Sequence, residues 1–129
     1  MPKLLTTLIL LLLPAVALAD EPDPRASLDT AIADGIKLLT AKDFETFVNR
    51  YAAPDELREM KAADEFEAVV QRFAGDKSEL LLIVLKEIKG KEPKLTRKNH
   101  LATFPIEHKK SPRETIEFEK IEGLWYLAN

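Results

Sequence analysis

Three side chains that could transfer protons occur next to apolar patterns in this chain. Tyr51 ends an apolar helical stripe, Asp64 lies between two helical patterns, and His100 precedes an alternating one. A phenol, a carboxylate and an imidazole could act together as acid and base on a small apolar substrate, which is the chemistry of an isomerase or a lyase. Such chemistry requires at least two of them to converge on one point.

Each of these side chains also has a simple structural role. Asp64 and Glu67 have the spacing of a capping box at the start of a helix. His100 lies at a strand end beside turn residues, and Tyr51 has the spacing of a core residue whose hydroxyl reaches the surface. Asp34 is expected on the solvent side of the first helix. We therefore predict that the chain has no catalytic residue. If it does catalyse a reaction, Asp64, His100 and Tyr51 are the candidate proton carriers.

No metal, cofactor or nucleic-acid site is expected. The chain has no cysteine and no Gly-rich phosphate loop. His100 and His108 cannot share a metal, because eight residues of strand would separate them by roughly 26 Å. Aromatic residues for base stacking do not interleave with the clustered cations, which are Lys86, Lys89, Lys91, Lys94, Arg97 and Lys98.

The first residues have the order of a cleavable export signal. Lys3 precedes an apolar run over residues 8–13, and Pro14 separates that run from Ala17-Leu18-Ala19. The run is shorter than the about 20 apolar residues that a membrane span needs. We predict a signal peptide over residues 1–19, cut after Ala19, and a single domain over residues 20–129. The mature protein would be secreted or periplasmic, with no membrane attachment.

Helical spacing dominates the first half of the mature chain. Apolar residues recur there at intervals of three and four, with capping residues, proline and glycine between the runs. The expected helices cover residues 24–40, a segment after Asp43, a short segment from Pro54, a segment from Asp64 to Gly75, and a segment from Ser78 to Gly90.

The second half alternates in the manner of β-strands, expected near residues 94–96, 100–107, 113–121 and 124–128. Glu122-Gly123 fits a two-residue hairpin turn, which pairs Ile121 with Leu124. That register places Ala102, Phe104, Ile106, Ile116, Phe118, Trp125 and Leu127 on one apolar face. The predicted fold class is α+β, with N-terminal helices packed on a curved antiparallel sheet of about four strands.

The closing segment, residues 116–127, reads IEFEKIEGLWYL. With helices preceding the sheet, this segment resembles the last hairpin of the nuclear transport factor 2-like (SnoaL-like) superfamily. The resemblance implies a cone-shaped, cystatin-like roll whose interior is a ligand cavity or a packed core. Enzymes of that family place Asp, His or Tyr inside the cone, and none of these maps onto the inferred interior of this chain.

The expected function is therefore an exported, non-catalytic binding or accessory domain whose ligand the sequence does not identify, and a small apolar molecule is one candidate partner. Its candidate pocket lining is Phe104, Ile106, Phe118 and Trp125. Two alternatives remain. One is an isomerase or lyase acting in a cone-shaped pocket. The other is a homodimeric structural protein that pairs through the outer sheet face, which carries Thr103, Glu117, Glu119 and Tyr126.

Overall fold

The computed structural model describes residues 22–128, so the predicted export signal lies outside the described residues. A short 3-10 turn, Pro24–Ala26, leads into α1 (Leu28–Thr40), α2 (Phe44–Tyr51), α3 (Pro54–Ala62), α4 (Phe66–Arg72) and α5 (Ser78–Ile88). A π-helical turn, Phe73–Lys77, joins α4 to α5. The strands are β1 (Lys94–Thr96), β2 (Leu101–Pro105), β3 (Thr115–Ile121) and β4 (Leu124–Ala128). The α+β class is confirmed.

Short polar side chains begin the first two helices. Ser27 and Asp43 each accept a hydrogen bond from a backbone N–H three residues later, at 3.2 and 3.3 Å. Because Ser27 starts α1, residues 24–26 form a separate turn capped by Asp23, and the predicted helix start at residue 24 is wrong. The predicted starts of α2 after Asp43 and of α3 at Pro54 are confirmed.

Asp64 ends α3 and does not start α4. Its φ is 58°, in the left-handed region, and its N–H donates to the Lys61 carbonyl at 3.2 Å. The N–H of Glu65 reaches back to the Met60 carbonyl at 2.8 Å. These two bonds form a Schellman motif, which satisfies carbonyls at the end of α3. The predicted capping box of Asp64 is therefore wrong, and α4 has no side-chain cap.

The helix predicted from Ser78 is confirmed as α5, but Ser78 does not cap it. The helix end predicted at Gly75 is wrong, because Gly75 lies inside the π-helical turn. The Ser78 side chain is buried and its hydroxyl donates to the Ala74 carbonyl at 2.8 Å. A serine bonded back to the carbonyl four residues earlier does not cap a helix start, and such a bond often bends the helix. π-helical turns occur frequently at functional sites.

The strands form one antiparallel sheet in the order β1-β2-β3-β4. Ile121 pairs with Leu124 and Phe118 with Leu127, so the predicted hairpin register is confirmed. Glu122 and Gly123 both have positive φ, 50° and 83°, which is the conformation of a type I′ turn. This turn matches the twist of the two strands and thereby sets which side chains face the helices.

The core lies between one face of this sheet and helices α1, α2 and α5. Its most deeply buried large side chains are Tyr51, Leu85, Ile88, Phe104 and Phe118. Phe104 and Phe118 meet edge to face at 6.2 Å across β2 and β3. Helices α1 and α5 approach closely at Gly35, where an added Cβ would lie 3.1 Å from a Leu85 methyl carbon.

Helices α3 and α4 and the π-helical turn differ from the other helices in their burial. None of their residues is fully buried, whereas α1, α2 and α5 each contribute several core residues. Apolar burial supplies most of the stability of a packed helix. Residues 54–77 are therefore attached to the core through partly buried side chains along one side.

The core can be tested with two isoleucines on α5. Ile88 is fully buried and Ile83 is 42% exposed. We expect Ile88→Ala to lower the free energy of unfolding by about 2–5 kcal/mol because it leaves a cavity. Ile83→Ala, the matched control, should change it by less than about 1 kcal/mol. Urea denaturation measures both, and equal losses would contradict the assigned core.

Hydrogen exchange tests the attachment of residues 54–77. We expect backbone amides within α3 and α4 to exchange at least about tenfold faster than those within α1 and α5, because local opening exposes little apolar surface. Mass spectrometry of deuterated peptides from the native protein measures this difference. Equal protection of all five helices would show that α3 and α4 open only with the whole domain.

Candidate functional site

A cleft of about 870 Å³ opens between the helices and one end of the sheet. Its helical wall comes from α2, α3, α4, the π-helical turn and α5. Its other wall comes from the start of β3, the end of β4 and the loop between β2 and β3. Most of the lining is apolar, and the side chains that form it include Phe47, Met60, Val69, Phe73, Leu81, Ile106, Ile116 and Leu127.

Stacked aromatic rings hold the helical wall together. The Phe47 and Phe73 rings lie parallel with centroids 5.3 Å apart, and Phe44 meets Phe73 edge to face at 6.1 Å. Phe73 lies in the π-helical turn, so these contacts fix that turn against α2. The same turn brings Asp76 and Lys77 to the cleft.

A polar network borders the cleft at Tyr51. The Tyr51 hydroxyl donates to the Asp34 carboxylate at 2.6 Å, and the Arg50 guanidinium donates to the same oxygen at 2.7 Å. Arg25 in turn donates to the Arg50 carbonyl at 3.1 Å and pairs with Asp23 at 2.8 Å. The network therefore joins the N-terminal turn, α1 and α2. Asp34 points into this network, so its predicted place on the solvent side of α1 is wrong.

Burial and charge shift the ionisation of this network. Burial, reinforced by the bond to Asp34, raises the pKa of Tyr51 well above its usual range. The hydrogen bond from Arg25 lowers the pKa of Asp23 to about 2. At neutral pH the Tyr51 hydroxyl is thus protonated and donates its hydrogen bond to Asp34. This arrangement stabilises helix packing and leaves the hydroxyl committed as a donor.

The structure separates the three candidate proton carriers. Tyr51 lines the cleft. Asp64 is exposed at the turn between α3 and α4, and His100 is exposed at the turn between β1 and β2. Neither Asp64 nor His100 belongs to the cleft lining. The three side chains therefore do not converge on one point.

Of the four side chains predicted to line a pocket, Ile106 lines the cleft. Phe104, Phe118 and Trp125 are buried in the packed core, with 1%, 2% and 7% of their surface exposed. The reason is geometric. These three side chains pack with α1, α2 and α5 in one core cluster, and the cleft opens beyond that cluster, where β2 ends and the following loop begins.

The outer face of the sheet is partly covered by the N-terminal turn. The Arg25 guanidinium lies over the Tyr126 ring, 5.4 Å from its centroid, and Tyr126 is buried. The Thr103 hydroxyl donates to the Glu117 carboxylate at 3.2 Å across β2 and β3. The N-terminal turn thus covers part of the face that the sequence assigns to pairing.

Comparison with known proteins leaves the site to be interpreted from its own geometry. Family models, curated proteins and solved structures gave no match. Within residues 22–128, no group of three His, Asp or Glu side chains could hold a metal ion. The helices of this part of the chain are all too short or too polar to cross a membrane. The geometry offers a mostly apolar cleft whose lining also includes charged side chains.

The sequence did not indicate several of the residues that line the cleft. Met60, Arg72, Lys77 and Arg113 line the cleft, although the first three lie in helical patterns that give no indication of a shared surface. The π-helical turn changes which side chains of the helix face the same way, and helical periodicity alone does not predict such a turn.

The alkaline stability of the protein tests the environment of Tyr51. A tyrosine whose folded pKa is raised contributes stability below its unfolded value near 10, and that stability is lost as the pH rises further. We expect the free energy of unfolding to fall more steeply between about pH 9 and pH 11 for the wild type than for Tyr51→Phe. Tyr126→Phe, the control, should retain the steep fall. Parallel curves for the wild type and Tyr51→Phe would contradict the assignment.

Proposed function

We propose that the chain is an exported, non-catalytic domain that binds a small apolar molecule in the cleft between its helices and sheet. The observation that carries this proposal is the cleft itself, with its volume of about 870 Å³ and its mostly apolar lining. Clefts that bind small molecules typically measure about 300–1,000 Å³ and combine apolar walls with a few polar groups. The export signal expected over residues 1–19 supports a role outside the cytoplasm.

The helical wall supports reversible entry of a ligand. Met60 and Val69 belong to helices without fully buried residues, so a small displacement of α3 and α4 would widen the cleft at little cost in buried surface. The opposite wall belongs to the sheet, and its side chains Ile116 and Leu127 continue the packed face of the core. The ligand would thus lie between a rigid wall and a more easily displaced one.

Binding without catalysis agrees with the placement of the titratable groups. Tyr51 lines the cleft, but its hydroxyl donates to Asp34. Asp64 and His100 lie outside the lining. The resemblance to the nuclear transport factor 2-like superfamily, in which a cavity can form between helices and sheet, supports the same proposal.

A charge introduced into the cleft wall should abolish apolar binding. The neutral fluorophore N-phenylnaphthylamine is expected to bind the mature protein with increased fluorescence and a stoichiometry near one. Met60→Glu should weaken this binding by about tenfold or more, because a carboxylate in the lining must be desolvated when the probe binds. Fluorescence titration measures both affinities.

Ala62→Glu is the matched control. It places the same charge at an exposed position on α3, outside the cleft lining, and should leave binding unchanged. No binding of the fluorophore, or equal losses in the two variants, would contradict the proposed function. A turnover of a small apolar substrate that Tyr51→Phe abolishes would contradict the absence of catalysis.

A further inference from the structure

Three cationic side chains line the apolar cleft. Arg72 and Lys77 belong to the helical wall, and Arg113 belongs to the loop on the opposite wall. The salt bridges among residues 22–128 involve Arg25, Arg50 and Arg58, and none involves these three cations. Their charges are therefore available to a molecule that enters the cleft.

Arg113 is held in place by its own loop. The Ser111 hydroxyl donates to the Arg113 carbonyl at 2.8 Å and lies 3.2 Å from its backbone nitrogen. The loop is closed at its base by a bond of 2.7 Å from the Ile106 N–H to the Glu114 carbonyl. It is also tied to α5, because the Glu107 N–H donates to the Glu87 carboxylate at 2.8 Å. These bonds involve no side-chain atom of Arg113 and leave its guanidinium free.

The charge of the lining favours one negative charge on the ligand. Two carboxylates, Glu56 and Asp76, line the same cleft as the three cations, which gives the lining a net charge of +1. A ligand with a single negative charge neutralises this excess. A ligand with a positive head group would add to it.

We propose that the ligand is a single-chain amphiphile with one carboxylate head group, and that Arg113 is the principal contact of that head group. This inference rests on the proposed function, because the apolar chain would occupy the cleft beside Phe73 and Leu81. A guanidinium presents a planar fork of donors that matches a carboxylate. Lys77 and Arg72 would approach the head group from the helical wall.

Calorimetric titration of the mature protein with three ligands of equal chain length tests the head group. Dodecanoate, dodecanol and dodecyltrimethylammonium would be compared below their micelle concentrations. We expect dodecanoate to bind about tenfold more tightly than dodecanol, because a charge-assisted hydrogen bond contributes free energy of that size. Dodecyltrimethylammonium should bind most weakly. Added salt should weaken the binding of dodecanoate and leave that of dodecanol unweakened.

Substitution of Arg113 tests the assigned contact. Arg113→Gln should weaken dodecanoate binding by about fivefold or more and leave dodecanol binding within about twofold. The matched control is Arg58→Gln, which removes an exposed arginine outside the cleft and should change neither affinity. Because the loop bonds use the backbone of Arg113, the variant should keep the stability of the wild type.

Two outcomes would overturn the inference and leave the proposed function intact. Equal affinities for dodecanol and dodecanoate would contradict the proposed anionic head group and would leave the proposed apolar site intact. Unchanged dodecanoate binding by the Arg113→Gln variant would contradict the contact assigned to Arg113. If N-phenylnaphthylamine failed to bind, the proposed function itself would fail and this inference with it.

Discussion

The structure depends on one constraint, namely that the four-stranded sheet has a single apolar face. The chain has no cysteine, so disulfides cannot hold its layers together and packing against that face must do so. Phe104 and Phe118 occupy the centre of the face and are fully covered by the helices. Helices α1 and α5 can reach this position because Gly35 lets them approach each other closely. The central part of the sheet is consequently core and not cavity.

The cleft follows from the same constraint. The sheet face is already occupied by α1, α2 and α5, so α3 and α4 have no comparable surface to pack against, and they contribute no fully buried residue. They cover the remaining space as one wall, which the π-helical turn and the stacked Phe47 and Phe73 rings connect to the core. The apolar volume and the charged edge of the site therefore arise where the layered packing ends.

The polar network around Asp34 has a structural role at this edge. Its carboxylate accepts hydrogen bonds from Arg50 and Tyr51, and Arg25 extends the network to the N-terminal turn. A buried phenol without such a partner would cost about 1–3 kcal/mol. The network thus allows Tyr51 to lie in the core and beside the cleft at the same time. It also positions Arg25 over Tyr126 on the other face of the sheet.

The sequence by itself determined the class of the fold, the four strands and their hairpin register, because strand alternation and the Glu122-Gly123 turn are local signals. It also indicated which sheet face is apolar. Only the tertiary structure decided that Phe118 and Trp125 are core while Arg113 and Met60 line the cleft, since this depends on which helices cover which part of the sheet. The tertiary structure likewise decided that Asp34 bonds to Arg50 and Tyr51. Such contacts join residues far apart in the chain, and no local periodicity encodes them.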